Sequence, residues 1–323
     1  MSDLSYLQAV VIGALQGVSE LFPVSSLGHS VLVPALIGGD WTHLVTESSS
    51  ATSEESPYLA FIVALHVATA LALLVFYRRD WVAIIGAFVR TLRTRTVATS
   101  TERLAWLVVI ATIPVGLTGL ALEHTFRTLF AKPLAAAVFL FVNGLILLAG
   151  ERLRRRAEAR AGIDPHSPAG DLPPDPWHPR GAAATGPSAP LVVAARRDLD
   201  TLSYREGLII GAFQTLALFA GISRSGITMV GGLVRGLDHE DAAKFAFLLA
   251  TPVILAAGVL KLPSLAGPAG AHIHGQVIAG ALTAGIAAYL AIRFLTRYFT
   301  TRTLTPFAIY CLAAGAICIA RFA

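Results

Sequence analysis

The sequence predicts an all-α integral membrane protein with six transmembrane helices and two re-entrant helix–loop–helix segments related by an inverted-topology repeat. Three observations carry that expectation. Of 323 residues, 55% are hydrophobic and only 14% are charged, with a mean hydropathy of +0.67, where soluble domains carry roughly 25% charged residues. So few charges cannot cover a water-facing surface, which makes lipid the solvent for most of the chain. Six apolar runs are long enough to span, two more are broken in the middle by polar residues, and the two broken runs match each other at a fixed offset.

Taken in order, the first broken run covers about 4–37 and is interrupted around Pro23-Val24-Ser25-Ser26-Leu27-Gly28-His29. Unbroken runs follow at 57–77, 104–122, 133–150, 242–262, 273–294 and 306–321, each near the 17–25 residues that cross a bilayer. The second broken run, about 202–235, is interrupted around Gly221-Ile222-Ser223-Arg224-Ser225-Gly226. Each half of a broken run is too short to cross alone. Polar, Gly and Pro residues at the break predict a segment that dips in and returns, tolerated at membrane depth when buried in protein or lining a watery cavity.

The loops between the runs sort by charge. Arg78, Arg79, Arg90, Arg93 and Arg95 follow the first span; Arg152, Arg154, Arg155, Arg156 and Arg160 follow the third; Arg293, Arg297 and Arg302 follow the fifth. The alternate loops hold Asp40, Glu47, Glu54 and Glu55, then Glu123, Arg127 and Lys132, then Lys261. The Arg-rich set is therefore expected in the cytoplasm and both termini outside. That distribution also sets aside nucleic acid as the partner implied by a net charge of +5. The stretch 161–190, rich in Pro, Gly and Ala, reads as a disordered cytoplasmic linker, so 1–323 is expected as one polytopic domain. No signal peptide is evident, and Cys311 and Cys318, seven apart in the last run, read as packing residues.

Shifting the chain by 198 residues aligns the broken runs without a gap. Leu4-Ser5-Tyr6 falls on Leu202-Ser203-Tyr204, Gln16 on Gln214, Ser25 on Ser223 and Gly28 on Gly226. Three spans separate the copies, and an odd number reverses orientation. The two tips are then expected to meet near the midplane, as in proteins that build a central site from discontinuous helices.

The tips carry the chemistry. Gln16 and Glu20 are four apart, on one helical face, and an ionised carboxylate in an apolar run is costly and usually functional. Ser25, Ser26 and His29 follow, with Ser26 and His29 spaced to approach each other at the start of a helix. The second tip offers Ser223, Arg224, Ser225 and Gly226 just before a helical run: a planar guanidinium, two hydroxyls and helix-end N–H donors, which together suit an oxyanion. A carboxylate beside a phosphate site implies a divalent cation, Mg2+ or Ca2+. His66 and Asn143 read as helix–helix hydrogen bonds.

The run Gln16-Gly-Val-Ser-Glu20-Leu-Phe-Pro-Val-Ser25-Ser26-Leu-Gly-His29 resembles the first signature of the undecaprenyl-pyrophosphate phosphatases of the bacitracin-resistance type, and Gly221-Ile-Ser223-Arg224-Ser225-Gly226 resembles the second. The likeness covers nearly the whole chain outside the 161–190 linker and the 40–56 loop. It implies a multi-pass enzyme of the bacterial plasma membrane, its site open to the outer face. Such an enzyme cleaves a polyprenyl pyrophosphate to the monophosphate and inorganic phosphate with a divalent cation, recycling the lipid carrier of cell-wall synthesis. By motif match, Glu20 and Gln16 are metal- or water-side residues, Ser26 and His29 serve attack and proton transfer, and Arg224 clamps phosphate with Ser223 and Ser225. Two positions depart from the pattern: Gln16 stands where many members have Glu, and Ala220 where Pro is usual. Three schemes stay open: Ser26 attacks with His29 as base, His29 attacks directly, or Glu20 and His29 orient a water. A transporter or flippase of a prenyl phosphate is the alternative, and the oligomeric state is left open, a homodimer included.

Overall fold

A computed structural model describes residues 4–42, 57–130, 132–160, 197–261 and 273–323. The chain is helical throughout this set, with no strand among the described residues beyond an isolated bridge between Arg197 and Leu237. The expected 161–190 linker lies outside the described residues, as does most of the 40–56 loop.

The first broken run forms α1 (Tyr6–Ser19) and α2 (Ser26–Ile37). Ser5 caps α1 in a capping box: its hydroxyl accepts the Gln8 N–H at 3.2 Å while the Gln8 side-chain Oε1 accepts the Ser5 N–H at 2.9 Å. The helix stops at Glu20, three residues ahead of Pro23, and resumes after Ser25, whose hydroxyl caps α2 by accepting from Gly28 N–H. A long helix, α3 (Pro57–Phe76), then meets α4 (Arg78–Thr94) at an 86° bend. The Arg-rich stretch expected as a loop is thus itself a helix. Its Ile84, Ala87 and Thr91 are buried on one side, while Val82, Ile85, Val89 and Leu92 are exposed on another.

Next come α5 (Ser100–Phe130) and α6 (Pro133–Arg160), which carries the second Arg cluster as a continuation of its helix. The second broken run gives α7 (Tyr204–Phe213), a 3-10 turn at Gln214–Leu218, and α8 (Arg224–Val234). Three further helices close the chain: α9 (His239–Lys261), α10 (His274–Tyr298) and α11 (Thr305–Phe322). Helices α5, α6, α9, α10 and α11 are long and apolar enough to cross a membrane, and the bent pair α3–α4 makes a sixth if taken as one span. Residues such as Leu117, Ile286 and Ile317 stay exposed on these helices although large and apolar, which is the face a protein shows to acyl chains. The chain is a multi-pass membrane protein.

Local structure repeats with the sequence offset. Ser203 caps α7 through a capping box with Glu206, as Ser5 does with Gln8. Ser223 caps α8 by accepting from Gly226 N–H, as Ser25 does from Gly28. Packing repeats too. α1 lies along α10, with Gly13 against the Gly280 backbone and Gly17 against Ala284; α7 lies along α5, with Gly207 against Leu107 and Gly211 against the Ala111 backbone. Numbers rise together in both pairs, so each pair is parallel. Small residues let these backbones close up where no hydrophobic force separates helix from lipid. Helices α6 and α11 pack antiparallel through Gly144 against Ala308 and Gly315 against Phe141.

Candidate active site

The two breaks meet at their tips. A Cβ at Gly28 would lie 2.9 Å from the Gly221 Cα, and Gly221 itself has φ +117°, with the Ala136 carbonyl oxygen 2.5 Å from where a Cβ would be. Only glycine fits there. Ser25 sits between the tips with φ +70°. Its hydroxyl accepts from Gly28 N–H in its own tip and from Gly221 N–H in the other, both at 3.2 Å, and so holds an unfavourable backbone in place. The Ser223 and Ser225 hydroxyls lie 3.0 Å apart, and both reach the Phe22 carbonyl, at 3.4 and 3.2 Å. These three serines stitch tip to tip.

At the centre is Glu20, 7% exposed. One oxygen pairs with the Arg224 guanidinium. The other accepts from the Gln16 carboxamide at 3.0 Å and the Ser26 hydroxyl at 2.5 Å, and it faces His66 Nε2 at 3.2 Å. Four side chains converge on one buried carboxylate. Gln16 keeps its own Oε1 buried, with no hydrogen-bond partner among the described residues. Its repeat mate Gln214 instead donates to the Ala111 carbonyl of α5 at 3.1 Å, so only one of the paired glutamines serves the site.

His29 is turned elsewhere. Its Nδ1 lies 2.7 Å from the Ser25 carbonyl, which can only accept, so Nδ1 carries the proton. Nε2 is then the acceptor, and Tyr310 donates to it at 2.7 Å with the two rings stacked 12° apart. The expected Ser26–His29 approach gives way to a Ser26–Glu20 bond and a His29–Tyr310 bond. The physical reason is the cap: Ser25 fixes the α2 start so that its carbonyl claims the imidazole from within the first turn.

Three residues enter the site that motif reading left out. His66 of α3, expected as a packing hydrogen bond, faces the central carboxylate. Tyr310 of α11 holds His29. Asn143 of α6, also expected as a packing hydrogen bond, donates to the Pro23 carbonyl and accepts from Ser223 N–H, both at 3.0 Å. For the first, the sequence offered an imidazole inside an apolar run and nothing to tell it from a His bonded to its own helix, as its Nδ1 is to the Ile62 carbonyl at 2.8 Å.

The family model described as "Bacitracin resistance protein BacA" matches residues 9–317. The chain belongs to the BacA family. Among its relatives, "Undecaprenyl-diphosphatase 2" of Frankia alni is 67% identical over 341 residues, covering 100% of this chain and 99% of the relative. "Undecaprenyl-diphosphatase" of Mycolicibacterium paratuberculosis is 58% identical, covering 97% and 96%. "Undecaprenyl-diphosphatase 2" of Chromobacterium violaceum is 39% identical, covering 97% and 98%. The BacA match takes in both tips and every site residue named above.

Proposed function

We infer that this chain is a membrane hydrolase that cleaves undecaprenyl diphosphate to the lipid monophosphate and inorganic phosphate. The observation that carries the reaction is the string Ser26–Glu20–Arg224: a hydroxyl, a carboxylate that accepts its hydrogen bond, and a guanidinium, joined where two broken segments meet. The relatives described above are named as diphosphatases and lend no support to the carrier alternative.

In this reading Arg224 and the first-turn N–H groups of α8 receive the terminal phosphate, where a guanidinium fork and a helix start suit an oxyanion. A diphosphate carries more charge than a carboxylate and draws Arg224 from Glu20. Ser26 then attacks the terminal phosphorus as Glu20 takes its proton, the phosphoanhydride bond breaks, and its electrons leave on the lipid monophosphate. Glu20 passes that proton to the departing lipid monophosphate. Water then attacks the phosphorus on Ser26 while Glu20 takes its proton, the Ser26 Oγ–P bond breaks, and inorganic phosphate leaves as Ser26 recovers the proton from Glu20. His29 and Tyr310 fix the start of α2 and with it the Ser26 hydroxyl. Ser223 and Ser225 support Arg224 through the loop rather than by direct contact.

A divalent cation fits this pocket only in part. Among the described residues no three of His, Cys, Asp and Glu cluster as a metal site. What the chain offers is one carboxylate, Glu20, and the orphaned Gln16 oxygen, a set that suits a hard cation such as Mg2+ or Ca2+ completed by phosphate oxygens. When bound, the cation would neutralise charge on the diphosphate.

The same proposal covers the architecture. Capping, glycine packing and parallel pairing recur at the 198-residue offset, and short links reverse the chain from α5 to α6 and from α10 to α11. With α6 antiparallel to α11, α1 and α7 run in opposite senses, which supports an inverted-topology repeat. The Arg-rich helix ends support a cytoplasmic face at that side and a site open to the outer face of the bacterial plasma membrane.

Phosphate release from a prenyl diphosphate by the detergent-purified protein tests the reaction. Ser26→Ala and Arg224→Ala are each expected to lower kcat by about 1000-fold, and EDTA to suppress release. Ser26→Ala activity within about tenfold of wild type would remove Ser26 as nucleophile. Equal activity in EDTA would remove the cation.

A further inference from the structure

We propose that Asn143 is a positioning residue for this hydrolysis, a clasp on a transmembrane helix that sets how far Ser26 and Glu20 stand from Arg224. The proposal rests on the diphosphatase reading above. Asn143 lies on α6, outside both broken segments, and is 0% exposed. Its carboxamide divides between the tips: Nδ2 donates to the Pro23 carbonyl of the first, and Oδ1 accepts Ser223 N–H of the second. Nδ2 also reaches Cys311 Sγ on α11 at 3.3 Å.

Both bonded groups sit at decisive points. The Pro23 carbonyl precedes Ser25 and Ser26 in the turn that launches α2. Ser223 is the N-cap of α8, directly before Arg224. The other ties between the tips, Ser25 to Gly221 and the two hydroxyls to Phe22, are hydrogen bonds of 3.2–3.4 Å between loop groups, with no transmembrane helix joining the two tips. Asn143 refers both tips to one rigid helix, itself held by α11 through Gly144 and by α8 through Gly150 against Val230. A leucine of similar volume would leave the Ser223 N–H orphaned at membrane depth and the Pro23 carbonyl with the weak Cys311 thiol donor at 3.8 Å, and the tips would have to move to satisfy them.

Movement of this kind separates rate from binding. Arg224 travels with Ser223 and the α8 N-terminus, so phosphate recognition stays intact. What is lost is the alignment of Ser26 with the phosphorus, and a displacement near 1 Å can cost about 100-fold in rate.

The test compares Asn143→Leu and Asn143→Gln with Leu140→Ala, a buried apolar change one turn earlier on α6. Asn143→Leu is expected to lose about 100-fold in kcat with KM within about threefold, and Asn143→Gln, with both groups on a longer arm, about tenfold. Leu140→Ala should lower thermal stability with kcat within about threefold of wild type. Hydrogen exchange over residues 219–226 should quicken in both Asn143 variants and stay as wild type in Leu140→Ala. Should Asn143→Leu fail to fold, Asn143→Gln decides. Wild-type kcat in Asn143→Gln, unchanged exchange at 219–226, or a kcat loss in Leu140→Ala equal to that in Asn143→Leu each overturns the clasp. A wild-type chain that released no phosphate would overturn the reaction instead, and exchange at 219–226 would still decide whether Asn143 holds the tips.

Discussion

Glu20 takes its donors from Gln16 one turn back, Ser26 across the break, His66 on α3 and Arg224 in the other tip. With the carboxylate 4% and the Arg224 side chain 18% exposed, neither charge is well placed to recover its partner from water. Removing one partner of such a pair typically costs about 3–5 kcal/mol, because the other is left buried and unpaired. Glu20→Ala should therefore lose stability as well as activity. Glu20→Ala with Arg224→Met should regain most of the stability in a thermal melt and none of the activity. A double variant as unstable as the single one would show that the pair's Coulomb attraction, and not the stranded arginine, was the larger effect. Tyr310→Phe keeps the stacked ring and removes the donor to His29 Nε2, and about a tenfold fall in kcat is expected from a phosphate-release assay. Glu20, Arg224 and His29 were legible because charge or imidazole at a helix break in an apolar run has few bland explanations. His66 and Tyr310 were not. A lone His in a span usually bonds its own helix, as its Nδ1 does here, and Tyr310 meets His29 from 281 residues away.

At the scale of elements, the 198-residue repeat was readable because it reuses residues that do backbone work. Ser5 and Ser203 cap, Ser25 and Ser223 cap, and Gly13 and Gly211 admit a neighbouring helix. Helix α4 was hidden by its own arginines. Its 3.6-residue period carries a protein-facing side, an exposed apolar side and Arg79, Arg90 and Arg93 between them, so hydropathy averaged along the chain reads it as polar. Opposite signs are expected for two glycine changes. A side chain at Gly211 would overlap the Ala111 carbonyl, so Gly211→Val should force α7 from α5 and destabilise by at least about 1–3 kcal/mol. At Gly86 in α4 an added Cβ would have no neighbouring atom within 4 Å, so Gly86→Ala should stabilise by about 0.5–1 kcal/mol through helix propensity alone. Thermal denaturation in detergent reads both.

For the molecule as a whole, orientation decides which compartment supplies the substrate. The C-terminal ends of α3, α6 and α10 and the N-terminal ends of α5 and α9 lie on one side, tied there by Lys244 to Asp80 at 2.7 Å, by His239 to Glu151 at 2.5 Å, and by Glu151 to the Leu304 N–H at 2.8 Å. All three Arg clusters fall on that side, and translocating them would oppose both the positive-inside bias and the membrane potential. Asp40, after α2, and Thr96, after α4, are both exposed, and the re-entrant arrangement proposed above puts Asp40 on the side opposite the Arg clusters. Both native cysteines are buried, so a single introduced cysteine reports its own position. In intact cells Asp40→Cys should react with a membrane-impermeant maleimide, and Thr96→Cys only after the membrane is opened. The reverse pattern would place the Arg-rich face outside and turn the site proposed to open away from it toward the cytoplasm. Labelling of both residues in intact cells would mean that the two positions share a face. That outcome is incompatible with α3 crossing the bilayer between them, and it would remove the odd number of spans on which the proposed inverted repeat depends.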